Sequence, residues 1–174
     1  MTFRAIVVTL CMMFSTQPQF AADNPVFPSL EAADLNKQKI QLPGGLAGEM
    51  NVLLVAFQRE QQADIDTWLP LLPALVKKHP KLAYYEMPVI SRSNFLMRWI
   101  IDNGMRGGIP DKQQRARTIT LYLDKKPFLK TLEISSEDQI YVLLVNKSGE
   151  VLWRTEGLAS QAKLESLEAY LDAR

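Results

Sequence analysis

The sequence has one cysteine and one histidine in 174 residues. Cys11 lies in an apolar stretch near the N-terminus, so residues 23–174 hold no thiol, no disulfide and no cysteine metal ligand. A thiolate is the attacking species in disulfide exchange, and neither an amide nor an aliphatic side chain replaces it. A chain cut after that stretch is therefore excluded from disulfide oxidoreductase, disulfide isomerase and thiol peroxidase chemistry. An excess of charge is also lacking: Lys and Arg total 20, Asp and Glu 19, for a formal net charge of +1. That balance gives no global electrostatic reason to expect a nucleic-acid ligand. Beyond residue 22 no apolar run approaches the roughly 20 residues that a membrane-spanning helix needs.

What is present begins with Met1-Thr-Phe-Arg4, an apolar run from Ala5 to Phe14 and a small-residue exit at Ala21-Ala22. One positive charge, a short apolar core and small residues at the exit make a secretory signal, which predicts residues 1–22 to be cleaved and the protein to be periplasmic. The alternative is an uncleaved leader that tethers the chain to the inner membrane. Leu10 before Cys11 is not the small residue that a lipoprotein signal requires. The composition, 47 % hydrophobic and 22 % charged, is that of a soluble globular protein. A mature chain of about 150 residues buries roughly 70 % of its unfolded surface, enough for one domain without a disulfide or metal staple.

Residues 23–50 read as a Pro-, Asn- and Gly-rich lead-in with one short strand at Lys39–Pro43, and residues 51–174 as the domain. Asn51–Phe57 is a compact apolar run, the mark of a strand buried on both faces. From Asp64 to Lys78 the residues Ile65, Trp68, Leu69, Leu72, Leu75 and Val76 recur at helical spacing, with kinks expected at Pro70 and Pro73. A strand follows over Leu82–Ile90. Ser93 then opens a helix that Gly104 ends, its Phe95, Leu96, Trp99 and Ile100 giving an apolar side. Gly104–Arg117 reads as a loop, Thr118–Leu123 as a strand, and Phe128–Leu132 as a short helix. Ile140–Val145 and Glu150–Arg154 flank a hairpin turn at Asn146–Gly149, and a last helix spans Ser160 to about Leu171. Strands alternating with helices predict an α/β fold: a mixed central sheet with helices on both faces, closed by an antiparallel hairpin and a C-terminal helix.

This order of elements, with a strand ending in Phe57 and a helix carrying Pro70, resembles the thioredoxin superfamily. In those relatives the first catalytic cysteine lies five residues beyond the Phe and the second three further on, which here are Gln62 and Ile65. The proline that follows the second cysteine by five falls on Pro70, and the cis-proline beside the cysteines corresponds to Ile140. All three redox positions are vacant. A closer resemblance rests on Asn103-Gly-Met-Arg-Gly-Gly-Ile-Pro-Asp111, Arg117-Thr-Ile-Thr, Tyr141-Val-Leu-Leu-Val-Asn and Val151-Leu-Trp-Arg-Thr-Glu-Gly157. These segments look like the mitochondrial ATP synthase assembly factor family called Atp ten. That resemblance implies a thioredoxin-like fold without catalytic cysteines and an assembly role for membrane-sector subunits; the leader departs from it by suggesting export.

Several residues bear weighing as sites. Arg59-Glu60-Gln61-Gln62 replaces the redox loop at the start of the first helix, where free backbone N–H groups hold either an ordinary polar cap or, in an inherited groove, a partner. Arg106, Lys112, Arg115 and Arg117 form a basic cluster in the loop, either solvated or docked on an acidic partner or lipid headgroups. His79, in Lys77-Lys-His-Pro-Lys81, reads as a helix-end residue favoured by the dipole. Asp64 with Asp66, and Glu137 with Asp138, are too few to predict a metal site. Trp68, Trp99 and Trp153 read as core residues. The sequence thus predicts a binding or assembly protein with no catalytic residue, cofactor or metal and with a protein partner, the alternative being a periplasmic small-molecule or peptide carrier.

Overall fold

The computed structural model describes residues 24–174, so the expected leader and its cut lie outside the described residues. Seven strands form one sheet in the order β2-β1-β5-β4-β3-β6-β7. At its centre β3 (Met50–Ala56) pairs parallel with β4 (Leu82–Ser91), and β4 pairs parallel with β5 (Ile119–Leu123). Antiparallel strands flank this centre: β6 (Tyr141–Asn146) and β7 (Val151–Glu156) on one side, β1 (Leu30–Asp34) and β2 (Lys39–Leu42) on the other. The mixed α/β sheet with its C-terminal hairpin is the architecture the sequence predicts.

Residues 51–56 of β3 are all buried because successive side chains enter different cores. Leu53 and Val55 join Met87, Leu121, Leu143 and Phe128 on one face. Val52 and Leu54 join Ile65, Trp68, Leu72, Val142 and Leu167 on the other. The second face is covered by α1 (Gln62–Trp68), α2 (Leu72–Lys78) and α6 (Gln161–Asp172), and the first by α5 (Lys125–Thr131). Each large apolar side chain so buried contributes about 1.5–3 kcal/mol.

Three expectations are corrected. The helix over Asp64–Lys78 is two helices, because Pro70 has no N–H to continue the ladder and its ring clashes with the preceding turn; the second starts with Pro73 in its first turn. The lead-in carries β1 as well as β2, and Phe27, Leu42 and Leu46 are buried in the core. Leu-Glu-Ala-Ala-Asp has little strand propensity of its own; pairing with β2 and β5 makes it a strand. Finally, the helix opened by Asn94, whose side chain accepts a hydrogen bond from Met97 N at 2.9 Å, does not stop at Gly104. This α3 runs Phe95–Gly108 and ends where Ile109 precedes Pro110, a residue pair that disfavours the helical conformation. A glycine inside a helix costs only about 1 kcal/mol relative to alanine, too little to end it.

The expected loop therefore holds the end of α3 and a further helix, α4 (Lys112–Arg117), whose N-cap Asp111 accepts from Gln114 N at 2.7 Å. The hairpin turn closes through Gly149 at φ +93°, where an added Cβ would stand 2.7 Å from the Phe27 carbonyl oxygen, so a side chain is excluded twice. Among the described residues no helix is long and apolar enough to cross a membrane.

Candidate functional site

The connection from β3 to α1 forms the corner at which the thioredoxin resemblance puts its cysteines. Gln61 is buried there, and its Oε1 accepts from Phe57 N at 2.8 Å and Gln58 N at 3.2 Å. Its Nε2 donates to the Glu137 carbonyl at 2.7 Å. Gln61 thus brackets the loop from within, whereas Arg59, Glu60 and Gln62 stand exposed. Of the four residues weighed as one polar segment, three face solvent and one is structural.

Ile65 and Ile140, at the second-cysteine and cis-proline positions, are fully buried in the same cluster as Trp68. The Ile140 carbonyl accepts from Gly157 N at 2.9 Å, and the Gly157 carbonyl accepts from Trp68 Nε1 at 3.0 Å, which ties the corner together. Packed hydrocarbon thus occupies the inner side of the corner, at Ile65 and Ile140.

Gln62, at the first-cysteine position, opens instead onto a cleft of about 400 Å³. Its Nε2 donates to Asp66 Oδ1 at 3.0 Å and to Glu86 Oε2 at 3.3 Å. Burial pushes the Glu86 carboxyl above the usual carboxylate range; the Gln62 hydrogen bond opposes that shift and the nearby Asp66 charge adds to it. In the same lining the Arg117 guanidinium lies 4.4 Å from the Tyr84 ring centroid and donates to the Tyr84 hydroxyl. Leu69, Pro73 and Ile109 supply apolar wall. Two carboxylates, a guanidinium and hydrocarbon in one lining suit a peptide segment or small ligand that carries both donors and an acid. No serine, threonine or cysteine lines the cleft, and its one hydroxyl, that of Tyr84, accepts from Arg117.

The basic residues expected to cluster occupy different environments. Arg115 Nε donates to the Ile109 carbonyl at 2.5 Å and its Nη2 to the Arg106 carbonyl at 3.0 Å, so Arg115 caps the carboxyl end of α3. Arg117 belongs to the cleft, Lys112 is exposed and Arg106 is half-buried. His79 ends α2, largely buried, with its Nε2 3.4 Å from Asp172 Oδ1. Glu137 pairs with Lys125 at 2.6 Å, Asp138 accepts from Ser136 Oγ at 2.5 Å, and Asp66 holds Gln62. Trp68 is core and Trp153 is half-buried, but Trp99 is 53 % exposed, which corrects its reading as a core residue.

Sequence reasoning missed Tyr84 and Glu86. The signal was there: Glu86 is the one charged residue in the apolar strand Leu82–Ile90, and a lone carboxylate in such a strand needs a reason.

No protein-family model matches the chain, and no curated protein matches it in sequence. Solved structures do match it in fold. A candidate electron transfer protein from Aquifex aeolicus superposes with a TM-score of 0.64 at 12 % identity over 87 % of this chain and 97 % of that one. The thioredoxin domain of a thiol-disulfide oxidoreductase from Bacteroides vulgatus gives 0.55 at 16 % identity over 87 % and 99 %. BsSco, a member of the Sco family of cytochrome c oxidase assembly proteins, gives 0.56 at 13 % identity over 87 % and 96 %. At such identities the likeness shows the thioredoxin-like fold and nothing narrower.

Proposed function

We propose that this protein is a non-catalytic, exported thioredoxin-like binding protein whose cleft beside Gln62 takes a segment of a protein partner. The observation that carries this reading is the exchange at one corner of the fold. At the positions the thioredoxin resemblance gives to the second cysteine and the cis-proline, Ile65 and Ile140 are buried hydrocarbon, while the adjoining cleft keeps Glu86, Asp66 and Arg117 for recognition. No cofactor and no metal enters it. The resemblance to the Atp ten family supports a narrower form: an assembly factor for a membrane complex such as ATP synthase, acting at the outer face of the inner membrane. A photoreactive side chain placed at Asp66 or Gln114 and activated in cells tests this. Capture of ATP synthase membrane subunits from the washed membrane fraction is the expected result, and no capture from any cleft position overturns the reading.

A cleft of about 400 Å³ also lies within the range of small-molecule sites, which favours a peptide or small-molecule carrier as the second reading. Native mass spectrometry separates the two, because a carrier retains a bound mass that Arg117→Ala removes.

A further inference from the structure

Helix α3 is amphipathic in the reverse sense. None of its residues is buried, and its outer side shows Phe95 at 83 %, Leu96 at 63 %, Trp99 at 53 % and Ile100 at 50 % exposure. Two of its charged residues, Arg98 and Asp102, face the protein instead. Tyr122 of β5 donates to Asp102 Oδ1 at 2.7 Å, and the Arg98 guanidinium lies 4.9 Å from the Tyr122 ring centroid. Arg98 Nε also donates to the Ser93 carbonyl at 3.0 Å. At 100° per residue, Leu96, Trp99, Ile100, Asn103, Gly104 and Gly107 share the outward arc, and no charge interrupts it. A contiguous apolar helix face left in water marks an interaction surface.

The surrounding charge says what covers it. Between Arg92 and Arg117 there are six basic residues and only two acidic ones, Asp102 and Asp111, in a chain whose overall charge is near zero. Arg92 stands three residues before Phe95 and lines a second cleft, of about 520 Å³, with Lys126. Neither of these cations belongs to an ion pair among the described residues, whereas Lys125 in the same cleft is held by Glu137. A two-fold pairing of this face with a second copy would oppose like charges. An anionic bilayer supplies both parts of the complement, acyl chains for the apolar arc and phosphates for the basic rim.

We propose that α3 lies in the surface of an anionic phospholipid bilayer, with Phe95, Leu96, Trp99 and Ile100 among the acyl chains and Arg92 and Lys126 at the phosphates. This surface is separate from the cleft beside Gln62, and neither proposal needs the other.

Trp99 is the built-in reporter, because Trp68 is core and Trp153 donates to Ser166 Oγ at 3.0 Å. The full chain is mixed with vesicles of phosphatidylcholine alone or with phosphatidylglycerol, with and without brominated acyl chains. The expected result is a blue shift and bromine quenching of tryptophan emission on the anionic vesicles, both lost in Trp99→Phe. Leu96→Ser with Ile100→Ser should abolish the quenching, since each buried apolar side chain is worth roughly tenfold in partition. Arg92→Gln with Lys126→Gln should reduce the preference for phosphatidylglycerol roughly thirtyfold, at about 1 kcal/mol per basic residue. Emission that ignores the vesicles overturns the proposal. So does a dimer that Leu96→Ser with Ile100→Ser converts to a monomer without changing the quenching, or quenching that survives both in that variant and in Trp99→Phe.

Discussion

Helices α1 and α3 follow neighbouring parallel strands, and both carry apolar residues at helical spacing, yet they use them in opposite ways. In α1, Ile65 and Trp68 are buried against Val52, Leu54, Val142 and Leu144, while Asp64 and Asp66 remain toward solvent. In α3 nothing is buried, because the strand surface beneath it presents Tyr122 and binds Asp102 and Arg98. Burial pushes the Tyr122 hydroxyl above its ordinary range, and the hydrogen bond to Asp102 adds to the shift, so this link stays neutral on the tyrosine side. A helix turns its apolar stripe toward whatever apolar surface is offered. The sheet offers one to α1; for α3 the surface must come from outside.

The largest effect that can break this comparison is a pair of tryptophan truncations. Trp68→Ala should cost about 3–5 kcal/mol in urea unfolding, whereas Trp99→Ala should change stability by less than about 0.5 kcal/mol. Comparable losses would mean that α3 packs as core. Next comes the bracket that holds the α1 corner: Gln61→Ala leaves the buried Phe57 N–H without its partner and should cost about 1–3 kcal/mol, read in the same experiment. A smaller change of opposite sign is expected on α3. An added Cβ at Gly107 meets nothing within 4 Å, so Gly107→Ala should stabilise the isolated protein by about 0.5–1 kcal/mol.

The smallest effect concerns the cleft. A carboxyl held above its ordinary 4.5 binds its proton more tightly in the folded state, so it stabilises the fold least once pH rises above its folded pKa. Glu86→Gln should therefore raise the melting temperature at pH 7 and give no gain below about pH 4, where wild-type Glu86 is protonated in both states. An equal shift at both pH values would attribute the gain to packing.

How much of this is legible in the sequence depends on what sets each feature. Central strands such as Asn51–Ala56 are legible because both-face burial writes a continuous apolar run. The absence of cysteine from residues 23–174 is legible because it needs only a reading along the chain. Strand β1 is not, since its alanines become strand only through partners distant in sequence. The orientation of α3 is hidden for a related reason: periodicity reveals that a stripe exists, and the polarity of the surface beneath decides which way it faces. Arg115 shows the same limit, as its cap on α3 needs the turn at Pro110-Asp111 to bring it back.

The most direct test of the central claim is steady-state turnover by the pure protein on disulfide, peroxide and ester substrates, alongside the Glu86→Gln variant. The account predicts no turnover above buffer for either protein. Steady turnover by the wild type that Glu86→Gln abolishes would contradict it, and would make the cleft beside Gln62 an active site.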